Sequence, residues 1–431
     1  MRRPLFPVTT LLLVVAVASA AACPDDCTCS FIASSRGTRG RPEMRVACKG
    51  LSSLPQAIDY PTETSTVVIR ESRLTGIPTD AFKGVPYLTR VEIHNSSVAA
   101  VGAFAFRGLD RLSHLIIRNN AIQVLQSNSM GDIKGFRNKK IIIDLEHNAI
   151  QVIEGHAFNG TSFVSSLLLS NGNPIVTLRT DAFSGLQYVN LLELHLPHLL
   201  SIEPYAFRGL WNVTRLTLSG FSVAQLPAHA FSGLESVRTF VMSNVTVDAI
   251  ESRAFEDVYG FTNLKIANAS IGAIRTDAFH GARETMNFVI TMSHIGLIET
   301  YAFHGMDDVY LYQIYNNDID AIEQRAIVGV RFYTFFYNNR LDCGCGVYPL
   351  FEEHMIEANV PIVENNRCQE PKEIVDVDAS GASSLRKSDR IGEIVNGPAL
   401  ILQCAPSTAP VRTVSGLLTA LVVVGSMIVL I

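Results

Sequence analysis

Between Cys48 and Cys343 the chain has no cysteine, and its 431 residues include a single tryptophan. A cysteine-free middle of that length excludes a disulfide-dense scaffold and any thiolate metal site there. Charged residues are scarce at 17% while hydrophobic ones reach 48%, which excludes a disordered chain. There is no basic surplus. The formal net charge is −5, and without Arg2, Arg3 and Arg412 of the two processed ends it is −8. Nucleic acid needs a basic face, so no nucleic-acid partner is expected.

Motifs of chemistry are missing too: there is no G-x-S-x-G, Gly-rich phosphate loop, H-E-x-x-H or EF-hand loop. No catalytic residue, metal ligand or cofactor is assigned, and an enzyme or enzyme scaffold is the least favoured function. His195 and His198 in "HLPH" have a metal-like gap, but Pro197 intervenes and no third ligand accompanies them. His280 and His304, each in "AFHG", fall on neighbouring turns where they could meet on the convex side, but they read first as solvated surface histidines.

The two ends carry processing signals. "MRRPLFPVTTLLLVVAVASAAAC" joins two arginines, an apolar run and a small-residue stop, predicting a secretion signal over residues 1–22. At the other end the apolar stretch from Leu417 has 15 residues with no Lys or Arg after it. That is short of the ~20 residues that span a bilayer. Small residues at Ser407, Thr408 and Ala409 precede it, so 406–431 predicts a glycosylphosphatidylinositol signal with Ser407 as attachment residue. A membrane tail is the alternative.

The eight cysteines fall in two clusters: Cys23, Cys27, Cys29 and Cys48, then Cys343, Cys345, Cys368 and Cys404. In a secreted chain an even count argues for disulfides, with three pairings open in each cluster. Stapled ends around an unstapled middle suit an elongated array that must cover its terminal hydrophobic edges.

The middle repeats. Phe82, Phe106, Phe158, Phe183, Phe207, Phe231, Phe255, Phe279 and Phe303 recur with Met130 and Ile327 in register, at steps of 24, 24, 28, 25 and then 24. Most stand in A-F-x-G, and ahead of each runs L-x-x-L-x-L-x-x-N-x-L, as in "LSHLIIRNNAIQVL". That period and pattern predict a leucine-rich repeat solenoid of the α/β class, with one parallel concave sheet and the phenylalanines as an apolar spine. About eleven repeats and a short last turn fill residues 61–340. An N-terminal cysteine cap at 23–60 and a C-terminal one at 341–405 flank them.

With "CPDDCTC" at one end and "NNRLDCGC" at the other, the chain resembles extracellular leucine-rich repeat proteins with cysteine caps, such as Slit, the Nogo receptor and the small proteoglycans. The resemblance implies Cys23–Cys29, Cys27–Cys48, Cys343–Cys368 and Cys345–Cys404 pairing. Arg340 and Gly344 replace the usual Pro and Asp of the C-terminal cap motif. From Gly135 to Pro197, "AFNGT" and an insertion near Asn173 are similar to the glycoprotein-hormone receptor ectodomains.

The register lays out the surfaces. Counting back from each phenylalanine, the bend position where such repeats carry asparagine falls on Ser72, Ser96, Asn120, Asn148, Gly172, Pro197, Phe221, Val245, Ala269, Ser293 and Asn317, with Asn339 after them. Four successive bends from Pro197 lack it, which predicts bends satisfied by backbone or water and a softer arc there. Arg90, Glu92, His94, Arg118, Glu193, His195, Tyr315, Tyr333, Phe335 and Tyr337 form the candidate ligand face. Glycosylation sequons begin at Asn95, Asn159, Asn212, Asn244 and Asn268.

The expected function is a glycosylated, lipid-anchored recognition or adhesion protein on the extracellular face of the cell membrane. It would bind a protein ligand or cell-surface receptor through its curved sheet and signal only through a transmembrane co-receptor. A secreted matrix or ligand-trapping protein is the alternative.

Overall fold

The computed structural model describes residues 23–32, 43–306, 308–323, 325–326, 333–341, 362–377 and 383–390, with a strand pair at 421–424 and 427–430. The secretion signal, Ser407, and Cys343, Cys345 and Cys404 lie outside these residues.

Each coil of the solenoid begins with a strand in which apolar residues alternate with others, as a half-buried strand requires. Trp211–Ser219 is one example, with Val213, Leu216 and Leu218 buried. Successive strands pair in parallel and in register, so Leu192, Leu216, Phe240, Leu264, Phe288 and Tyr312 form one inward column. The result is a 15-stranded sheet. Its first pair, Cys27–Ile32 with Glu43–Lys49, is antiparallel, and the rest of the sheet is parallel. Disulfides Cys23–Cys29 and Cys27–Cys48 hold this hairpin, with Cα separations of 5.8 and 4.0 Å. The hairpin covers the first edge of the array. Beyond the last described coil, Cys368 is buried and disulfide-bonded.

Behind the sheet the phenylalanines stack as a spine. Ring centroids are 5.8 Å apart for Phe158–Phe183, 5.2 Å for Phe183–Phe207 and 4.5 Å for Phe231–Phe255. Met130, fully buried, fills the place between Phe106 and Phe158. Nothing of this spine is available to a ligand.

Two features differ from the sequence expectation. Among the described residues there is no α-helix, only a three-residue 3-10 turn at Ala57–Asp59. A 24-residue coil spends its return path on short strands and turns instead, so the solenoid is built almost wholly of sheet. The large sheet is also not alone. A second set of strands forms three shorter sheets, beginning with two-residue strands such as Gly76–Ile77 and Val124–Leu125 and widening to five residues from Ser222–Leu226 to Asp318–Ile322.

The widening begins within the stretch of bends that lack asparagine. There Phe221, Val245 and Ala269 are buried at the bend. The backbone closes the gap: Thr246, Ser270 and His294 donate to the Phe221, Val245 and Ala269 carbonyls at 2.9, 2.8 and 2.9 Å. Elsewhere amides form ladders. The Asn120 side chain accepts from Ser96 N–H, Asn148 from Asn120 and Asn173 from Asn148. A second ladder runs through Ser293, Asn317, Asn339 and Asn366. The residue in the first ladder is Asn173 rather than Gly172, because the inserted residue shifts the bend by one.

Candidate functional site

On the outer face of the large sheet successive described coils contribute side chains in register. At its N-terminal half the charges are already matched to each other. Glu92 takes the Arg90 guanidinium, lies 3.3 Å from His94 Nε2 and 3.6 Å from Arg70. Burial pushes the Glu92 carboxyl up, but the Arg90 hydrogen bond and charge, with help from His94, outweigh it and hold it below the usual range. His114, beside them on the neighbouring strand, is held below the usual imidazole range by burial and then by Arg90.

One strand on, Arg118 bridges two carboxylates. Its Nε lies 2.7 Å from Asp144 and another nitrogen contacts Glu146, which also accepts from Asn171 at 2.5 Å. Asp144 and Glu146 are 6% and 8% exposed, so they depend on Arg118 for neutralisation. Arg90, Glu92 and His94 therefore form one cluster and Arg118 another with Asp144 and Glu146, and each of these four candidates already has an ionic or hydrogen-bonded partner within the chain.

Further along, the face opens. Glu193 and His195 are exposed on adjacent outward positions of Gln187–His195, with Arg215 and Arg238 exposed on the next two strands. His195 lies 3.3 Å from Ser219 Oγ, and its ring rests against Gly220. A Cβ at Gly220 would stand 2.3 Å from that ring, and the backbone there has φ +78°, so glycine is required. Near the C-terminal end Tyr315 and Tyr337 stack at 4.9 Å, both half-buried, with Phe335 also half-buried on the strand of Tyr337. Tyr333 belongs to the same strand, Tyr333–Tyr337, paired with Leu311.

The sequence reading missed an aromatic group at the edge where the strands begin. Phe163 and Tyr188 stack at 4.5 Å, and Trp211 meets Tyr188 edge-on at 4.8 Å. All three are half-buried. Phe163 and Tyr188 have φ of 57° and 54°, unusual for bulky residues, and the hydrophobic periodicity carries no trace of that.

All five sequon asparagines are exposed. Asn95, Asn244 and Asn268 sit where the strands end, each in left-handed backbone at φ 49°, 53° and 50°. Glu71, Asn119, His147, Met292, Asn316 and Asn338 share that conformation one residue before their own bends. Asparagine tolerates it better than most residues, so these positions have a backbone reason for asparagine apart from sugar. Asn212 lies instead beside Trp211, at the opposite edge.

His195 and His198 gather no third donor. Among the described residues one group does converge, Asp277, His280 and His304 on the turn side, which the sequence reading left as surface histidines. No described helix is long and apolar enough to cross a membrane.

The family matches of the sequence agree with the architecture. Residues 62–122 match the family described as Leucine rich repeat, and residues 176–310 match six copies of the BspA type Leucine rich repeat region. No curated protein sequence matches the chain. Among solved structures, a chain of the octameric complex of Latrophilin 3, Unc5D and FLRT2 is 15% identical with TM-score 0.42, over 75% of this chain and 89% of that one. A chain of the Drosophila Toll–Spatzle complex is 16% identical with TM-score 0.42, over 76% of this chain and 49% of that one. A chain of the mouse RP105/MD-1 complex is 14% identical with TM-score 0.24, over 69% of this chain and 66% of that one. This chain thus spans about half the length of the Toll-complex chain it matches.

Proposed function

We propose that this leucine-rich repeat chain is a non-enzymatic recognition or adhesion protein that captures a protein ligand or receptor on its concave sheet. The observation that carries the reading is the exposed run Glu193, His195, Arg215 and Arg238 on three successive paired strands. Unlike the Arg90–Glu92 and Arg118–Asp144 clusters, this run is open to solvent, with half-buried Tyr188 and Trp211 at the start of its own strands and the Tyr315–Tyr337 stack further along the sheet. Arginine and aromatic side chains are the groups that most often dominate binding energy. A rigid sheet holds them without the entropy cost of ordering a loop.

Disulfides at the N-terminal end suit an oxidising compartment, and exposed sequons suit a glycoprotein. Together with the terminal signals they support display on the extracellular face of the cell membrane through a lipid at Ser407, with a transmembrane co-receptor for signalling. Two treatments test the whole reading. Phospholipase C specific for phosphatidylinositol should release the chain from cells; material already free in the medium would favour the secreted matrix or trapping alternative. A cell-surface binding screen should return a protein partner whose binding falls in a Glu193→Ala, Arg215→Ala, Arg238→Ala variant that keeps its fold. Unchanged binding would move the interface off this face.

A further inference from the structure

Each coil closes on a turn around its core phenylalanine, and these turns follow a pairing rule. The residue two before the phenylalanine of one coil faces the residue one after the phenylalanine of the next. Asp80 meets Arg107 by this rule, with one pair of atoms at 2.7 Å. Asp181 meets Arg208 in a two-pronged contact at 2.7 and 2.6 Å. Carboxylate and guanidinium neutralise each other there, and the pair is complete.

Around Phe279 and Phe303 the same positions hold different chemistry. Asp277 faces His304, whose Nδ1 lies 3.0 Å from the carboxylate. An imidazole stands where the coils of Phe106 and Phe207 place a guanidinium, so this carboxylate meets a group that can serve as a metal ligand. The next departure is His280. By the rule its partner is Arg253, which offers no acceptor and turns instead towards Glu256 at 3.5 Å. His280 is thus left beside Asp277 and His304, its ring 5.8 Å from that of His304. Its Nδ1 is buried and has no hydrogen-bond partner. Gly305 presses on that ring; a Cβ there would meet Nδ1 at 2.3 Å.

One donor atom from each of Asp277, His280 and His304 lies within 4.8 Å of the others. We infer that these three side chains form a surface site for a divalent transition metal of the zinc class. Two imidazoles and one carboxylate suit zinc or cobalt, whereas calcium and magnesium prefer oxygen alone. Donors around a tetrahedral zinc stand roughly 3.4 Å apart, so the set must close by about an ångström. His304 is exposed, so a rotation of its ring about the Asp277 contact can supply that movement. Three protein ligands leave a fourth position for water or for a donor on another molecule. The bound ion would tie two successive coils together on the turn side, away from the concave sheet.

The test uses the purified full chain and cobalt chloride, with zinc chloride as competitor. The expected result is one equivalent of cobalt with visible ligand-field absorption, displaced by zinc. Zinc should also raise the thermal unfolding midpoint. His304→Gln and Asp277→Asn, both at solvent-accessible positions, should abolish the absorption and the zinc-dependent rise, and circular dichroism should show an unchanged fold. Absence of cobalt absorption at millimolar metal would overturn the inference. So would absorption that survives in both variants, which would place the metal at other side chains such as His195 and His198.

Discussion

The side-chain oxygen of Asn173 accepts the backbone N–H of Asn148 at 3.1 Å, so one amide joins the bends of two coils. Asn148 repeats the arrangement towards Asn120, while its own nitrogen donates to the Ile117 and Leu145 carbonyls at 2.8 and 2.7 Å. All of these groups are buried or nearly so. Replacing Asn148 with alanine removes the partner of the Asn120 N–H and a donor to the Ile117 carbonyl, while Leu145 keeps the Asn173 amide at 2.9 Å; each group left unpaired costs about 1–3 kcal/mol. The expected outcome is a clear drop in the denaturant midpoint. An unchanged midpoint would show that water fills the site.

Asn244 separates a backbone role from a sugar role. At φ 53° it needs a residue that tolerates left-handed backbone. Asn244→Gly should remove any glycan and keep stability, whereas Asn244→Gln should remove the glycan and cost about 1 kcal/mol from strain. Equal midpoints for the two variants, both without sugar, would rule out the backbone role. Mass spectrometry of the wild-type peptide reports occupancy independently.

The bends without asparagine are not soft on this geometry, which revises the expectation drawn from sequence. Amides of Thr246, Ser270 and His294 lie in five-residue paired strands. Hydrogen exchange should find them at least as protected as the amides of the two-residue strands near Ile77 and Leu125. Faster exchange at Thr246 and Ser270 than at those positions would restore the softer arc.

Acid should weaken the N-terminal half in two stages. The folded pKa of His114 lies below its unfolded value of about 6.5, so the unfolded chain takes up the proton first and stability falls once pH drops below that value. The Glu92 carboxyl is also held below its unfolded value, so its contribution is complete above about pH 4.3 and is lost as pH falls through the folded value. Unfolding midpoints measured from pH 8 to pH 3 should therefore decline from about pH 6.5 downwards. His114→Gln should remove the upper stage alone.

Charge variants on the concave face should sort by their partners. Arg118→Ala leaves Asp144 and Glu146 buried without a counter-ion, and breaking such a set costs on the order of 3 kcal/mol. Loss of binding in that variant would say little about contact with a partner. Glu193→Ala and His195→Ala, at exposed positions, should leave the midpoint within about 0.5 kcal/mol of the wild type. Binding measured on these is interpretable.

How much was readable beforehand follows from which contacts are local. Strand alternation and the spacing of the phenylalanines are properties of a single coil, so the sequence by itself determined the solenoid, its core and its outward positions. Glu193 and His195 were legible as exposed candidates for the same reason. Whether Arg118 was free or matched was not, because its partners lie 26 and 28 residues away on the next coil. The convergence of Asp277 with His304 likewise spans 27 residues and depends on how one turn stacks on another. Left-handed backbone at Asn244 and the five-residue strands of the second set were also invisible, since neither has a hydrophobic signature. Periodicity decided what each coil is made of; only stacking in three dimensions decided which side chains meet between coils, because coil-to-coil geometry brings together groups that no single repeat contains.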